Sequence, residues 1–236
     1  MTNRVGYWVS VLLFASGLFH LLVFAVDGGP WEGPVSWRKP VTFGLSFGLT
    51  LATVVWVSTL LKVRPFIPAL FTAASIGEVA LITLQAWRKV PSHFNEETPF
   101  DAMVSRGLTG GGALIIFVTV WLVVAALRAG HLAPSMRLAV RVGSSTLLLA
   151  LAFGGLMIAK GVVLVREGDP DLAYATAGSW KLAHGVAMHG VLLLPLLAWS
   201  LTFTSWSERR RTRLVALASA GYLLAIAAAT AISAWS

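Results

Sequence analysis

Cysteine is absent from this 236-residue chain, and charged residues are scarce. The absence of cysteine excludes disulfides, thiolate metal sites and a cysteine nucleophile. Charged residues make up 12% of the sequence, whereas a soluble domain carries about 25%. Hydrophobic residues, in contrast, make up 57%. This composition indicates that lipid, and not water, surrounds most of the chain.

Apolar runs long enough to cross a bilayer recur seven times. They cover roughly residues 6–26, 41–61, 66–87, 107–129, 142–165, 182–203 and 214–235. A helix of about 20 residues spans the hydrocarbon core, so seven spans leave little room for a soluble domain. We therefore predict an all-α integral membrane bundle of about seven helices, with residues 1–236 forming a single transmembrane domain. The first run is too long for a signal peptide and is predicted to remain as a span.

Basic residues predict the orientation. Ten lie at the N-terminus and in the loops after the second, fourth and sixth spans, against seven on the opposite side. The positive-inside rule then places the N-terminus in the cytoplasm. The net charge of +8 is explained by residues that flank spans and contact headgroups, so membrane lipids and not nucleic acid are the expected partners. Eight of the ten acidic residues fall on the predicted outer side.

Four ionisable side chains fall inside predicted spans: His20, Glu78, Lys160 and His189. At a helical rise of about 1.5 Å per residue, all four lie roughly 7–13 Å below the outer boundary. Such groups are costly in lipid and are functional candidates by default. Structural alternatives exist for each. His20 can donate to a carbonyl of a neighbouring helix, Lys160 can extend to the interface, and Glu78 can pair with Lys160 or with a histidine.

The pattern HGVAMHG holds His184 and His189 five residues apart. This spacing separates them by about 140° on a helix, so they are not expected to chelate one metal ion. We predict that His189 faces the bundle and that His184 faces an outer vestibule. His20 and His189 can then serve as haem ligands, or either histidine can act as an acid or base.

Small residues and prolines predict local packing. Gly44 with Gly48, and Gly107 with Gly111, form small-xxx-small patterns that are typical of closely packed helices. Pro195 falls inside the sixth span and is expected to kink it.

Two predicted outer segments, residues 30–40 and 85–101, are rich in polar and aromatic side chains. Their tryptophans suit the membrane interface. Thr98 and Asp101 resemble a capping box, with Pro99 at the first helical position. That explains Asp101 but leaves the roles of Arg88, His93 and Asn95 open. Cations in these segments, Arg38, Lys39 and Arg88, are suited to hold an anionic headgroup or a phosphate.

The segments GPVSWRKP, WRKVPSHFNEETPFD and HGVAMHG resemble an uncharacterised family of small bacterial multi-pass membrane proteins. The resemblance covers most of the chain and implies a shared membrane fold, but no activity. A looser comparison is the superfamily of ceramidases and progestin receptors, which has seven helices and histidine zinc ligands. Its HxxxH spacing is absent here, so that zinc site is not carried over and no metal ligands are assigned.

The functional hypothesis is a membrane-embedded enzyme that performs acid/base chemistry on a lipid or isoprenoid-like substrate. The alternatives are a redox protein with haem b or a histidine-bound metal, a proton-coupled transporter or sensor, and a structural partner. The predicted catalytic residues are Glu78, His189, His20 and His93. The predicted substrate-binding residues are Arg38, Lys39, Gln85, Arg88, Asn95, Lys160 and His184. The expected location is the cell membrane, with the polar site on the extracytoplasmic side.

Overall fold

A computed structural model describes residues 2–235, and this part of the chain is helical, without strands. Nine α-helices follow one another: α1 (Thr2–Asp27), α2 (Arg38–Leu60), α3 (Phe66–Trp87), α4 (Pro99–Leu127), α5 (Pro134–Arg166), α6 (Pro170–Thr176), α7 (Lys181–Met188), α8 (Gly190–Leu201) and α9 (Glu208–Trp235). A short 3₁₀ helix, Ala177–Trp180, joins α6 to α7.

Seven segments of the described chain are long and apolar enough to cross a membrane. Six are single helices, and the sixth in chain order, Pro170–Leu201, comprises α6, the 3₁₀ helix, α7 and α8. The predicted all-α fold with seven spans is confirmed. The third span coincides with the prediction at both ends, whereas α4 and α5 begin at Pro99 and Pro134 instead of at 107 and 142. Their first turns are too polar to register as apolar runs.

The sixth span is interrupted at His189, where α7 ends and α8 begins. The predicted sixth span over 182–203 therefore contains a break at His189 that the sequence did not indicate, and the kink expected at Pro195 stays a prediction. Pro195 lies inside α8 and has no N–H to donate to the preceding turn, which weakens the ladder just after the break. The hydroxyl of Tyr222 on α9 donates to the carbonyl of Val186, which the interruption leaves accessible.

The chain divides into two compact units, each assembled from separate segments. The first unit, here called the α3–α4 unit, contains residues up to Val55, Arg64–Val118 and Lys160–Ala177. The second, here called the α7–α9 unit, contains Trp56–Val63, Thr119–Ala159 and the residues from Gly178 onward. The single transmembrane domain stays a prediction.

Within the α3–α4 unit, α1 and α2 approach each other through glycines. A Cβ atom at Gly44 would lie 2.6 Å from the backbone nitrogen of Gly17, and one at Gly48 would lie 2.7 Å from the backbone nitrogen of Phe14. Atoms do not approach so closely, so only glycine permits this separation of the helices. The prediction of close packing at Gly44 and Gly48 is confirmed.

Within the α7–α9 unit, charged side chains satisfy helix ends. Arg141 donates to the carbonyls of Ala126 and Leu127 at the end of α4, at 3.1 and 2.6 Å. The carboxylate of Glu208 accepts from the backbone N–H of Ser135 in the first turn of α5, at 2.8 Å. These ends have backbone groups without intrahelical partners, and the charged groups supply the missing bonds.

Candidate functional site

The polar residues of the α3–α4 unit are arranged along the contact between α3 and α4. The layer nearest the 88–98 loop joins Gln85 to Asp101, with Nε2 of Gln85 donating to Oδ1 at 2.8 Å. The next layer packs Ile82 against Val104 and Leu108. One turn further along α3, Glu78 lies against Gly111. A single buried face of α3 thus runs from the polar loop to the carboxyl group.

Glu78 is 6% exposed, and its Oε1 atom has no hydrogen-bond partner. The carboxyl occupies the space where Gly111 has no side chain, so close that a Cβ atom there would overlap Oε1. No ion pair joins Glu78 to a basic residue within residues 2–235, and Lys160 instead donates to the carbonyl of Thr176 at 3.1 Å. Gly107, one turn from Gly111, likewise packs against Leu81, 3.1 Å from its would-be Cβ.

Other glycines beside Glu78 face open space. A Cβ atom at Gly77 on α3, or at Gly110 or Gly112 on α4, would meet nothing within 4 Å. Gly110 is exposed on the surface of the protein. Since these positions carry no side chains, no side chain covers the surface of α3 and α4 at Gly77, Gly110 and Gly112, next to the carboxyl group.

His20 is buried, and both of its ring nitrogens are engaged. Nδ1 lies 2.7 Å from the carbonyl of Ser16, and Nε2 lies 3.1 Å from the indole nitrogen of Trp87. A carbonyl only accepts and an indole N–H only donates, so Nδ1 carries the hydrogen and Nε2 accepts. The expected donation to a carbonyl occurs, but to the helix of His20 itself. A haem iron would have to displace one of these bonds.

Trp37 and Lys89 connect the aromatic rings around His20 to Asp27 at the end of α1. The indole N–H of Trp37 donates to Oδ2 of Asp27 at 2.6 Å, and Lys89 pairs with the same oxygen. The ammonium of Lys89 also lies 4.6 Å from the centre of the Trp37 ring. This arrangement ties the end of α1 to the start of α2 and to the loop after α3.

Arg88 and Gln85, two predicted substrate-binding residues, belong to a network that closes the α3–α4 hairpin. The guanidinium of Arg88 donates to the carboxylate of Asp101 and to Oε1 of Gln85. The backbone N–H of Asp101 donates to the hydroxyl of Thr98 at 3.1 Å. The predicted cap at Thr98 and Asp101 is thus confirmed. Gln85 and Arg88 supply their polar groups to the fold.

The loop between α3 and α4 is fixed by its own side chains. Oδ1 of Asn95, which is 1% exposed, accepts from the backbone N–H of Glu97 at 3.1 Å. Phe94 has a φ of 61° and places its ring against Gly161 on α5, where there is no room for a Cβ atom. The ring occupies the space that a side chain at position 161 would take. Asn95 and Phe94 therefore anchor the loop.

His93 lies in the same loop, with Nδ1 2.9 Å from the hydroxyl of Ser92 and its ring 6.1 Å from that of Phe43. Burial, together with the nearby positive charge of Lys39, lowers the pKa of His93 to about 3. The ring is therefore neutral near neutral pH.

Arg38 and Lys39 hold the segment before α2. Arg38 donates to the carbonyl of Trp31 at 3.2 Å and pairs with Glu32 at 3.1 Å, and Lys39 donates to the carbonyl of Pro34 at 2.9 Å. A shallow crevice, whose roughly 170 Å³ of empty space includes open solvent, lies between this segment and the last turns of α3. Its lining includes Ser36 and Lys39 from this segment and Ile82 and Ala86 from α3.

The two histidines of HGVAMHG lie in the α7–α9 unit, and their orientation is the reverse of the prediction. His184 is partly buried and donates from Nδ1 to the carbonyl of Ala150 on α5 at 2.7 Å. His189 is exposed at the helix interruption, with Nδ1 2.6 Å from the carbonyl of Gly185. The α-helical hydrogen bonding is interrupted at His189, which the assumption of one continuous helix did not include.

The geometry leaves Glu78 as the predicted site residue with an unused buried atom. Residues 2–235 contain no group of three or more histidine, aspartate or glutamate side chains arranged to hold a metal ion. Sequence reasoning missed Trp87 and Ser36, and it assigned Gly111 only to packing. The sequence did contain a signal for this contact. Gly107 and Gly111 are spaced four residues apart on α4, the helix that follows α3, and this spacing indicates a close helix contact.

Comparisons with protein-family models, curated proteins and solved structures find no match to this chain.

Proposed function

We propose that the protein is a membrane-embedded enzyme in which Glu78 acts as acid and base on a lipophilic molecule. The observation that carries the proposal is the buried Oε1 atom of Glu78, which has no hydrogen-bond partner. Leaving a polar group buried and unpaired costs about 1–3 kcal/mol. Ionisable groups inside membrane spans are uncommon and are associated with function. A reacting molecule would supply the missing partner.

A proton-transfer isomerisation or cyclisation is the reaction class that a single carboxyl group can complete. The acid form donates its proton to a carbon–carbon double bond, whose electron pair forms the new C–H bond. The carboxylate then removes a proton from a neighbouring carbon, and that C–H electron pair forms a new double bond. The carboxyl group is regenerated and the product is an isomer of the substrate. The reaction consumes no oxidant, reductant or water.

The glycines around Glu78 support lateral access from lipid. Gly77, Gly110 and Gly112 leave open space at the level of the carboxyl group, and Gly110 is exposed. A hydrocarbon chain can approach two helices closely where they carry no side chains. The family resemblance suggests a bacterial cell membrane. The site is proposed to lie in its outer half, because ten basic residues fall on the predicted inner side against seven on the outer side.

The test combines a chemical label with an isosteric variant. Dicyclohexylcarbodiimide, a lipophilic reagent for carboxylic acids, should modify Glu78, as read by peptide mass spectrometry. Glu78→Gln should abolish this label and lower conversion of a total membrane-lipid extract by at least about a hundredfold, in the range typical of a lost acid/base group. Glu96→Gln, at an exposed loop position, is the control. Undiminished conversion by Glu78→Gln would refute the proposal.

Glycine variants test the geometry of the site. Gly111→Ala puts a Cβ atom where Oε1 of Glu78 lies, so the carboxyl group must move and the labelling rate should fall. Gly110→Ala adds the same methyl group to the adjacent position of α4, where nothing lies within 4 Å. It should label like the unmodified protein. Equal effects of the two substitutions would mean that helix propensity, and not the position of Glu78, controls the reaction.

A proton-coupled transporter or sensor is the second candidate, favoured by the crevice that extends from the polar loop to Ile82. Ile82 is one helical turn from Glu78, about 6 Å along the axis. A chain of water molecules formed over this turn would carry protons from the crevice to the carboxyl group. Proteoliposomes with an imposed pH gradient should then show a proton flux that Glu78→Gln abolishes. Conversion of lipid without such a flux would favour the enzyme.

A further inference from the structure

The crevice beside α3 carries a second inference, which rests on the proposed function. Its walls include Ser36 and Lys39 from the segment before α2 and Ile82 and Ala86 from α3. Positions 78, 82 and 86 are spaced four residues apart and therefore lie on one side of the helix. The crevice and Glu78 thus share a face of α3. The distance along the axis from Glu78 is about 6 Å to Ile82 and about 12 Å to Ala86.

Ser36 supplies an unused polar atom in this crevice. The residue is 7% exposed, and its hydroxyl has no hydrogen-bond partner. A buried hydroxyl is ordinarily bonded to a protein group or to ordered water. This one lines the crevice, which makes it available to a molecule that enters. Ser92, which also lines the crevice, is 2% exposed and already bonds to His93.

The electrostatic environment of the crevice is positive. Lys39 lines it and is near enough to His93 to contribute to the lowered pKa of that residue. The 23-residue helix α2 begins at Arg38, so the positive end of its dipole is directed toward the same place. No acidic side chain lines the crevice. An anionic group is therefore the complementary occupant.

We propose that the crevice binds the anionic headgroup, a phosphate or a carboxylate, of the amphiphile on which Glu78 acts. The hydroxyl of Ser36 donates to the headgroup, and the ammonium of Lys39 exchanges the carbonyl of Pro34 for the anion. The apolar part of the molecule then extends along α3. The substrate class is an amphiphile whose reacting carbon lies about 6–12 Å from its anionic headgroup.

Binding requires the crevice to widen. Its 170 Å³ of empty space includes its open mouth, and the walls are too close for a headgroup in the unliganded geometry. The segment that carries Ser36 follows Gly33, whose φ of 114° is strained for other residues. When Lys39 breaks its hydrogen bond to the carbonyl of Pro34, the segment is free to move, and Gly33 allows the backbone to rotate there.

The experiment measures thermal unfolding of the full-length protein in a neutral detergent with octyl phosphate or octanoate as probe. At ten times its dissociation constant, a probe that binds the folded state should raise the midpoint by about 3–6 °C. Ser36→Ala and Lys39→Gln should each weaken binding by about tenfold. Arg166→Gln, which removes an exposed cation of the same unit, is the matched control and should bind normally.

Two reference compounds show whether the protein recognises the anionic group, the hydrocarbon chain or both. Inorganic phosphate and octyl glucoside should each produce less than half the shift given by octyl phosphate. An equal shift with inorganic phosphate would overturn the inference in favour of a free-anion site, and an equal shift with octyl glucoside would mean that only the hydrocarbon chain is bound.

Glu78→Gln separates this inference from the proposed function. The variant should retain the shift with octyl phosphate while losing lipid conversion. No shift in the unmodified protein, together with loss of conversion in Glu78→Gln, would overturn the headgroup site alone. A normal shift together with full conversion by Glu78→Gln would overturn the proposed function.

Discussion

The indole N–H of Trp87 donates to Nε2 of His20, joining the end of α3 to α1 across 3.1 Å. His20 is 3% exposed, so the bond is made largely out of water. Because the other ring nitrogen is bonded to the carbonyl of Ser16, the imidazole cannot rotate without breaking two bonds. His20 is therefore best understood as a connector between two helices.

A double-mutant cycle tests this connection. His20→Phe and Trp87→Phe should each lower the free energy of unfolding by about 0.5–1.5 kcal/mol, since each removes the hydrogen bond between α1 and α3. The double variant should lose less than the sum, because the second substitution removes a bond that is already broken. Unfolding in mixed micelles with increasing denaturant measures all three values. Strict additivity would contradict a direct bond.

The Arg88–Asp101 ion pair predicts a larger effect. The side chain of Asp101 is 3% exposed and that of Arg88 is 34% exposed. Arg88→Ala leaves the buried carboxylate without its charge partner, so we expect a loss of about 2–4 kcal/mol. Arg88→Lys retains the charge and should lose less. Arg166→Ala is the control, and a loss below about 0.5 kcal/mol for Arg88→Ala would contradict the assignment.

The packing of Phe94 on Gly161 predicts how the 88–98 loop opens. Gly161→Ala places a methyl group where the Phe94 ring lies, and such overpacking costs about 1–3 kcal/mol. The ring should leave its position, and trypsin should cleave after Arg88 or Lys89 about tenfold faster. Gly155→Ala on the same helix meets nothing within 4 Å and should cleave at the original rate.

The low pKa of His93 predicts a loss of stability in acid. In the unfolded chain histidine binds a proton near its ordinary value of about 6.5, whereas in the folded protein the pKa is about 3. Between these values the unfolded state binds more protons, so stability falls as the pH falls. We expect a loss of about 1–2 kcal/mol from about pH 7.5 to about pH 5. His93→Gln should reduce this pH dependence, and an unchanged slope would contradict it.

The fold was largely predictable because lipid imposes a simple rule. Spans must be long, apolar and helical, and seven such runs are visible without any knowledge of tertiary contacts. The feature that the sequence did not predict was the interruption of the sixth span at His189. A proline lies six residues later, and the hydroxyl of Tyr222 from another helix donates to the carbonyl of Val186 just before the interruption. Periodicity along one segment carries no information about such a partner.

The candidate site was less predictable, because the sequence indicates depth but not partners. His20, Glu78 and Lys160 were correctly placed inside spans, yet two of the three bond to backbone carbonyls or a tryptophan. Only the three-dimensional arrangement shows that Gly111 makes room for the carboxyl group of Glu78. Whether the carboxyl group of Glu78 meets Gly111 depends on the register between α3 and α4, and the composition of the two helices does not determine that register.

The carboxylate of Glu208 and the backbone N–H of Ser135 are separated by 73 positions in the chain. During synthesis α5 therefore enters the membrane with this part of its first turn uncapped. Its partner emerges only after the sixth span is complete, at the start of α9. A polypeptide halted before residue 208 has the apolar segment of α5 but not this bond. The insertion of α9 thus caps the first turn of α5, a helix that was synthesised well before it.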